Sequence, residues 1–106
     1  MVNFLSSDEL ERIAAPSPML DKYREARRTA PAGAVVVVRL GDFYEGFADD
    51  AEPVSELSGA ALSSRPVYGK DGHPCGRLLM AGVVCRKIDG LRAAALASGR
   101  VLVVVE

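Results

Sequence analysis

The 106-residue sequence contains no tryptophan, one histidine and two cysteines. Cys75 and Cys85 stand in a chain without a secretion signal, so we expect reduced thiols and no disulfide framework. His73 adds a third soft ligand, but no fourth is present and the spacing fits no zinc pattern. We therefore predict neither a metal site nor a bound cofactor.

Long apolar runs are also missing. No stretch reaches the length of a membrane span, and the first five residues lack the charged and long apolar regions of a signal peptide. We expect a cytoplasmic protein with no membrane partner. The content of 49% hydrophobic and 25% charged residues is that of an ordinary globular protein. A chain of this length predicts one domain with a single modest core.

The sequence also lacks a surplus of basic residues, because its formal net charge is −1. Proteins that bind nucleic acids generally carry extra cations that release counterions from phosphates. The charge is unevenly distributed: residues 1–59 hold 6 basic and 11 acidic side chains, whereas residues 60–106 hold 7 basic and 3 acidic ones. Two interpretations stay open, scattered solubility charges or one positive face built by Arg65, Lys70, Arg77, Arg86, Lys87 and Arg92.

The most informative stretch runs from Val35 to Phe47. Four consecutive valines predict a short strand that is buried on both faces. Gly41 then permits a turn or a close approach. If the chain stays extended through Glu45, Phe43 and Glu45 share one face and Tyr44 points to the other. Taken alone, both aromatic residues are most simply core residues.

The remaining elements follow from caps, breakers and periodicity. Helices are predicted over about 7–14, 18–29, 50–57 and 86–98, and the arginines of the second helix form a solvated face or phosphate contacts. Strands are predicted over 60–64, 78–84 and 101–105, with a loop over 65–74 between the first two. The fold class is therefore α/β, a single domain with a mixed β-sheet of about four to five strands flanked by helices.

Beyond these local patterns, the run Gly41-Asp42-Phe43-Tyr44-Glu45, with Phe47 and Asp49-Asp50-Ala51, resembles the amino-terminal mismatch-recognition domain, domain I, of the MutS family. Supporting similarities are Ser17-Pro18-Met19-Leu20 with Tyr23, Leu62 with Arg65, and Met80-Ala81-Gly82-Val83. The resemblance covers residues 17–106. Residues 1–16 lie outside it as an extension with a short helix, which is either a docking segment or a partly frayed arm.

The resemblance implies a MutS domain I-like fold and a role for two side chains. Phe43 is expected at the surface, where it wedges into the minor groove at a mispair, and Glu45 is expected to hydrogen-bond the displaced base, while Tyr44 stays in the core. The implied partners are double-stranded DNA with mispairs, bound weakly by this domain alone, and a full-length repair protein, not a small-molecule substrate. No residue is expected to be catalytic. The expected DNA-binding residues are Phe43, Glu45, Arg65, Lys70, Arg77 and Arg86.

Two departures from the family pattern affect this prediction. Val84-Cys85-Arg86 replace the usual proline, aromatic residue and histidine. Gly46 replaces a large apolar residue, which is expected to soften the backbone beside Phe43. The sequence also lacks a Gly-x-x-x-x-Gly-Lys-Ser/Thr loop, so we expect no ATP hydrolysis, and the chain is read as either an excised domain or a natural solo module.

Two alternative functions stay open. One is a protein-interaction module that keeps the fold without binding DNA, which the acidic net charge favours. The other is a metal-dependent nuclease that uses Asp42, Glu45, Asp49 and Asp50, although a helix cap explains the last two acids without a metal.

Overall fold

The valine run forms the second strand from one edge of a five-stranded sheet. The computed structural model describes residues 2–106. The helices are α1 (Ser7–Ile13), α2 (Pro18–Thr29), α3 (Ala51–Ser58) and α4 (Ile88–Ala97). The strands are β1 (Val35–Leu40), β2 (Phe43–Phe47), β3 (Ser63–Tyr68), β4 (Pro74–Val84) and β5 (Leu102–Val105). Short 3-10 turns at Ala48–Asp50 and Cys85–Lys87 lead into α3 and α4.

The strand order across the sheet is β3-β4-β2-β1-β5. Only β5 runs parallel to its neighbour β1, and the other three pairings are antiparallel. The predicted α/β class with a mixed sheet is therefore confirmed. Within residues 2–106, no helix is long and apolar enough to cross a membrane.

The sheet carries a hydrophobic cluster on each face, and the valine strand contributes to both. Val36 and Val38 belong to the cluster under α1 and α2. Val35 and Val37 belong to the cluster under α3 and α4. All four are at most 2% exposed, so the prediction of a strand buried on both faces is confirmed. Such a strand needs no polar side chain on either face, which explains its near-uniform composition.

The amino-terminal extension packs into the first of these clusters. Leu5, Leu10 and Ala14 are each at most 2% exposed. The guanidinium group of Arg24 on α2 donates hydrogen bonds to the carbonyl oxygens of Leu10 (2.6 Å) and Ala14 (2.7 Å), at the end of α1. The frayed-arm alternative is therefore wrong for the described part of the extension. The prediction that Arg24 lies on a solvated face is also wrong, because α1 covers it.

The β3-β4 hairpin is longer than predicted. Arg65, Pro66 and Val67 belong to β3 and not to a loop, and the connection shrinks to residues 69–73. Proline is tolerated there because β3 is an edge strand, where a missing N–H interrupts no ladder if it faces outward. This geometry fixes the direction of the neighbouring Arg65 side chain, which matters for the site.

The last helix and strand largely follow the prediction. Helix α4 begins at Ile88, two residues later than predicted, and Gly99 follows it with a left-handed φ of 78°. The helix buries Leu91 and Ala95 against the sheet, whereas Leu96 is 62% exposed. Strand β5 is an edge strand, so of its four residues only Leu102 is fully buried.

Candidate nucleic-acid interface

The β1-β2 hairpin displays Phe43 at one end of the sheet. The chain reverses at Gly41, whose φ of 58° is the left-handed conformation that glycine adopts without strain. The chain is therefore not extended continuously from Gly41 to Glu45, because β2 begins only at Phe43. In β2, Phe43 is 44% exposed and Tyr44 is 6% exposed, as predicted. Strand alternation puts Phe43, Glu45 and Phe47 on the face that α1 and α2 cover farther along.

Three contacts hold the tip of this hairpin. The Cys85 N–H donates to the carbonyl oxygen of Asp42 at 2.8 Å. The Tyr44 hydroxyl donates to Glu106 Oε2 at 2.7 Å, and Arg39 Nε donates to the carbonyl oxygen of Gly41 at 3.1 Å. The backbone on either side of Phe43 is thus tied to β4 and to the chain end after β5.

Glu45 lies beside Phe43, half-buried on the same face. Within residues 2–106 its carboxyl group receives no hydrogen bond and forms no ion pair within 4.0 Å. Burial raises the pKa of Glu45, and the nearby charge of Arg65 partly opposes that rise. A carboxyl group in this environment has unused hydrogen-bonding capacity and takes up a proton more readily than a solvated one.

The predicted cations divide into two groups. Arg65 lies on the Glu45 face, with its guanidinium 3.7 Å from Met19 Sδ. Arg86 is exposed in the 3-10 turn after Val84, which pairs directly with Phe43. These two stay close to the hairpin.

Lys70 and Arg77 are not brought to the hairpin. Lys70 lies in the β3-β4 turn, at the opposite end of an 11-residue strand, roughly 30 Å away at about 3.3 Å per residue. Arg77 faces the other side of the sheet, where its Nε donates to Ser64 Oγ at 2.9 Å. The single positive face built by all six cations is therefore wrong.

Two cations of the hairpin region were missing from the predicted set of DNA-binding residues. Lys87 lines an open depression of about 590 Å³ with Phe43, Leu57, Val84 and Leu91. Arg39 lies 6.0 Å from the centroid of the Tyr44 ring. Arg39 had a signal in the sequence, because a two-residue turn at Gly41 and Asp42 pairs the second residue before the turn with the second residue after it, here Arg39 with Tyr44. Lys87 belonged to the candidate positive face, but its place beside Phe43 is set by the path of the chain after β4.

The acidic residues of the proposed nuclease cluster are separated in the structure. Asp50 is 2% exposed and accepts hydrogen bonds from the Tyr23 hydroxyl, Arg27 and the Val36 N–H. Asp49 accepts from the Ser7 N–H. Neither side chain accepts a capping hydrogen bond from α3, but both acids lie at the start of that helix, where the macrodipole favours negative charge. Within residues 2–106 no group of three or more His, Cys, Asp or Glu side chains is arranged to hold a metal ion.

Gly46 has a different role from the predicted softening of the backbone. A Cβ atom at this position would lie 2.7 Å from Val54 Cγ2 and 2.8 Å from the Asp50 carbonyl oxygen. The glycine therefore lets the start of α3 pack directly on β2. The larger apolar residue usual at this position does not fit here unless α3 moves.

The comparison with known families gives a match that covers the hairpin and most of the chain. The chain matches the family described as MutS domain I over residues 17–106, which is all of it except the first 16 residues. This match, together with the five-stranded mixed sheet, connects the chain with DNA mismatch repair at the level of the family. The chain belongs to the MutS domain I family.

Proposed function

We propose that this domain binds duplex DNA without catalysis and tests it for mispairs with Phe43 and Glu45. The observation that carries the proposal is the exposure of Phe43, 44% of whose surface is open to solvent at the tip of an anchored hairpin. Large aromatic side chains are usually buried, so an exposed ring on a fixed backbone favours a contact with a partner.

The wedge would select mispairs through the cost of opening the duplex. Insertion of an apolar side chain between base steps costs a few kcal/mol of unstacking. That cost is smaller where pairing is already faulty, because less stacking and pairing is lost. A rigid hairpin strengthens this selection. A ring that is free to move aside would avoid the cost of opening a well-paired step and would not distinguish that step from a mispair. The anchors at Tyr44, Asp42 and Gly41 support the required rigidity.

Glu45 would read the base that the wedge displaces. An ionised carboxylate accepts a hydrogen bond from a base N–H, and a protonated carboxyl group donates one to a base nitrogen or oxygen. Its raised pKa favours the protonated form next to phosphates, where a negative charge is repelled. The carboxyl group has no competing partner within residues 2–106, so a base would not have to displace one.

The charge near the hairpin predicts weak binding by this domain. Arg65, Arg86 and Lys87 lie near Phe43 or Glu45, and Arg39 lies over Tyr44 on the other face of the hairpin, but the acids Asp42, Glu45 and Glu106 are in the same region. With so few uncompensated cations, the expected dissociation constant is on the order of micromolar to millimolar. Selectivity, more than affinity, is therefore the property to measure.

The experiment is fluorescence anisotropy at low salt with matched, G·T and unpaired-T duplexes. We expect tighter binding to the two defective duplexes, and we expect Phe43→Ala to abolish that preference. Phe4→Ala is the matched control, because Phe4 is 47% exposed but pairs with Arg77, away from the hairpin. Equal affinities for all three duplexes, or a Phe43→Ala variant that discriminates as wild type does, would overturn the proposal and favour the protein-interaction module instead.

A further inference from the structure

Gly82 faces Glu45 across the β2-β4 pairing. A Cβ atom built on Gly82 would lie 2.5 Å from both Cδ and Oε2 of Glu45, and 2.6 Å from Oε1. All three distances are far below van der Waals contact. The Glu45 carboxyl group thus occupies the space that any side chain at position 82 would fill.

The backbone geometry brings Glu45 and Gly82 closer together than the pairs next to them on the ladder. The hydrogen bond from the Cys85 N–H to the Asp42 carbonyl makes that pair a hydrogen-bonded one. Because pairs alternate along an antiparallel ladder, the Glu45 and Gly82 pair, three residues farther along, is a non-hydrogen-bonded pair. In such pairs the Cα atoms are only about 4.5 Å apart and the side chains are closest. A glycine opposite Glu45 therefore lets the carboxyl group fold down onto β4.

The position over Gly82 also determines which groups surround the carboxyl. Arg65 on β3 is close enough to lower the Glu45 pKa through its charge, while burial raises it. Phe43 projects from the same face, two residues away. A carboxyl group lifted off Gly82 would lose the burial and move toward solvent.

We infer that Gly82 is a positioning residue, whose missing side chain holds the Glu45 carboxyl at a fixed place beside Phe43 and thereby sets mismatch selectivity. This inference rests on the proposed function. Gly82 acts through Glu45 and needs no contact with DNA. Its effect falls on the preference for defective duplexes more than on the affinity for matched DNA, because phosphate contacts carry most of the latter.

Gly82 differs from Gly46 in what an added methyl group would meet. At Gly46 the nearest atoms belong to the buried Val54 side chain and to the Asp50 backbone. At Gly82 the three nearest atoms all belong to the far end of one flexible, half-buried side chain. Gly82→Ala is therefore expected to move Glu45 and leave the fold intact, which makes it an informative variant.

The test combines Gly82→Ala, Glu45→Ala and the double variant, with Gly90→Ala as a control because nothing lies within 4 Å of a Cβ at that position. We expect Gly82→Ala to reduce the ratio of defective to matched duplex affinity by about fivefold, as for one lost hydrogen bond. In the Glu45→Ala background, Gly82→Ala should change the ratio no further. Gly90→Ala should leave it unchanged.

A second readout is independent of DNA. NMR titration of the Glu45 carboxyl carbon should show its pKa falling toward the ordinary value in Gly82→Ala and not in Gly90→Ala. The inference is overturned if Gly82→Ala leaves the Glu45 titration unchanged. It is also overturned if Gly82→Ala reduces selectivity as much in the Glu45→Ala background as in the wild-type background. If wild type itself fails to discriminate, the proposed function fails, and the titration alone then decides whether Gly82 holds Glu45 in place.

Discussion

Phe43 and Phe47 lie on the same strand and the same face, yet they have opposite environments. Phe47 is fully buried and its ring meets that of Tyr23 edge to face, with centroids 5.6 Å apart and planes at 79°. Phe43 is 44% exposed. The difference arises because the buried cluster under α1 and α2 includes Phe47 but not Phe43. Identical side chains on one β-strand face thus serve the core at one end and the surface at the other.

Two carboxylates repeat this contrast. Asp50 accepts three hydrogen bonds, from Tyr23, Arg27 and the Val36 N–H, and connects α2, β1 and the turn before α3. Glu45 accepts none within residues 2–106 and lies over Gly82. Burial and the charge of Asp50 also raise the pKa of the Tyr23 phenol, so Tyr23 stays a donor. The satisfied acid stabilises the fold, while the unsatisfied one is available to a partner.

The largest expected effect tests the aromatic pair. Phe47→Ala should reduce the free energy of unfolding by about 3 to 5 kcal/mol, since it empties a fully buried site. Phe43→Ala should cost about 1 kcal/mol or less, because half of that ring is already in water. Urea denaturation of both variants measures the difference. Similar losses for the two would mean that Phe43 packs in the core.

The next largest effect concerns the acids. Asp50→Ala should cost about 3 kcal/mol, because it leaves Arg27 and two further donors without their buried partner. Asp49→Ala is the control, since it removes only a 3.2 Å contact at an exposed site and should cost less than about 1 kcal/mol. Urea denaturation of the two variants and of wild type measures the loss of stability caused by each substitution. A loss for Asp49→Ala as large as for Asp50→Ala would contradict it.

Two glycines also differ in how closely other residues approach them. Gly46→Ala should cost about 2 kcal/mol, as an overpacked contact between β2 and α3. Gly90→Ala, an open position in α4, should instead stabilise the protein by about 0.5 kcal/mol through helix propensity. Thermal unfolding, monitored by circular dichroism, shows whether each variant is less or more stable than wild type. A neutral Gly46→Ala would show that α3 shifts freely on β2.

The smallest effect is the pH dependence of Glu45. Its pKa is raised above 4.5 in the folded protein. Between 4.5 and the higher folded value, the folded state binds more protons, so stability falls as pH rises through that window. Glu45→Gln has no such loss. It should equal wild type in stability at about pH 4 and exceed it at about pH 7.

Urea midpoints at the two pH values test this prediction. Comparing the urea midpoint of Glu45→Gln with that of wild type at the same pH cancels the contribution of every other titrating group. Gly90→Ala, which replaces no titrating group, is the control and should differ from wild type by the same amount at both pH values. A constant offset between wild type and Glu45→Gln would contradict the proposed burial of the carboxyl group.

Several features of this molecule were predictable because their causes are local. The Ser6 capping box begins α1, Pro18 is the first residue of α2, and Gly99 with its left-handed φ follows α4. The cations were harder to place. Arg24 and Arg28 lie on the same helix, yet α1 covers Arg24 and leaves Arg28 exposed beside Glu11. Helical periodicity shows which residues share a face, but it does not show which neighbouring element covers that face.

The amino-acid order alone determined the strand of valines, the α/β class and the alternation that separates Phe43 from Tyr44, because these follow from side-chain shape and backbone periods of a few residues. Only the tertiary structure decided that Arg77 faces away from Phe43, that Asp50 is buried and that Gly82 lies under Glu45. These facts depend on strand register and on how far each helix extends over the sheet, and both are set by contacts between residues distant in the chain.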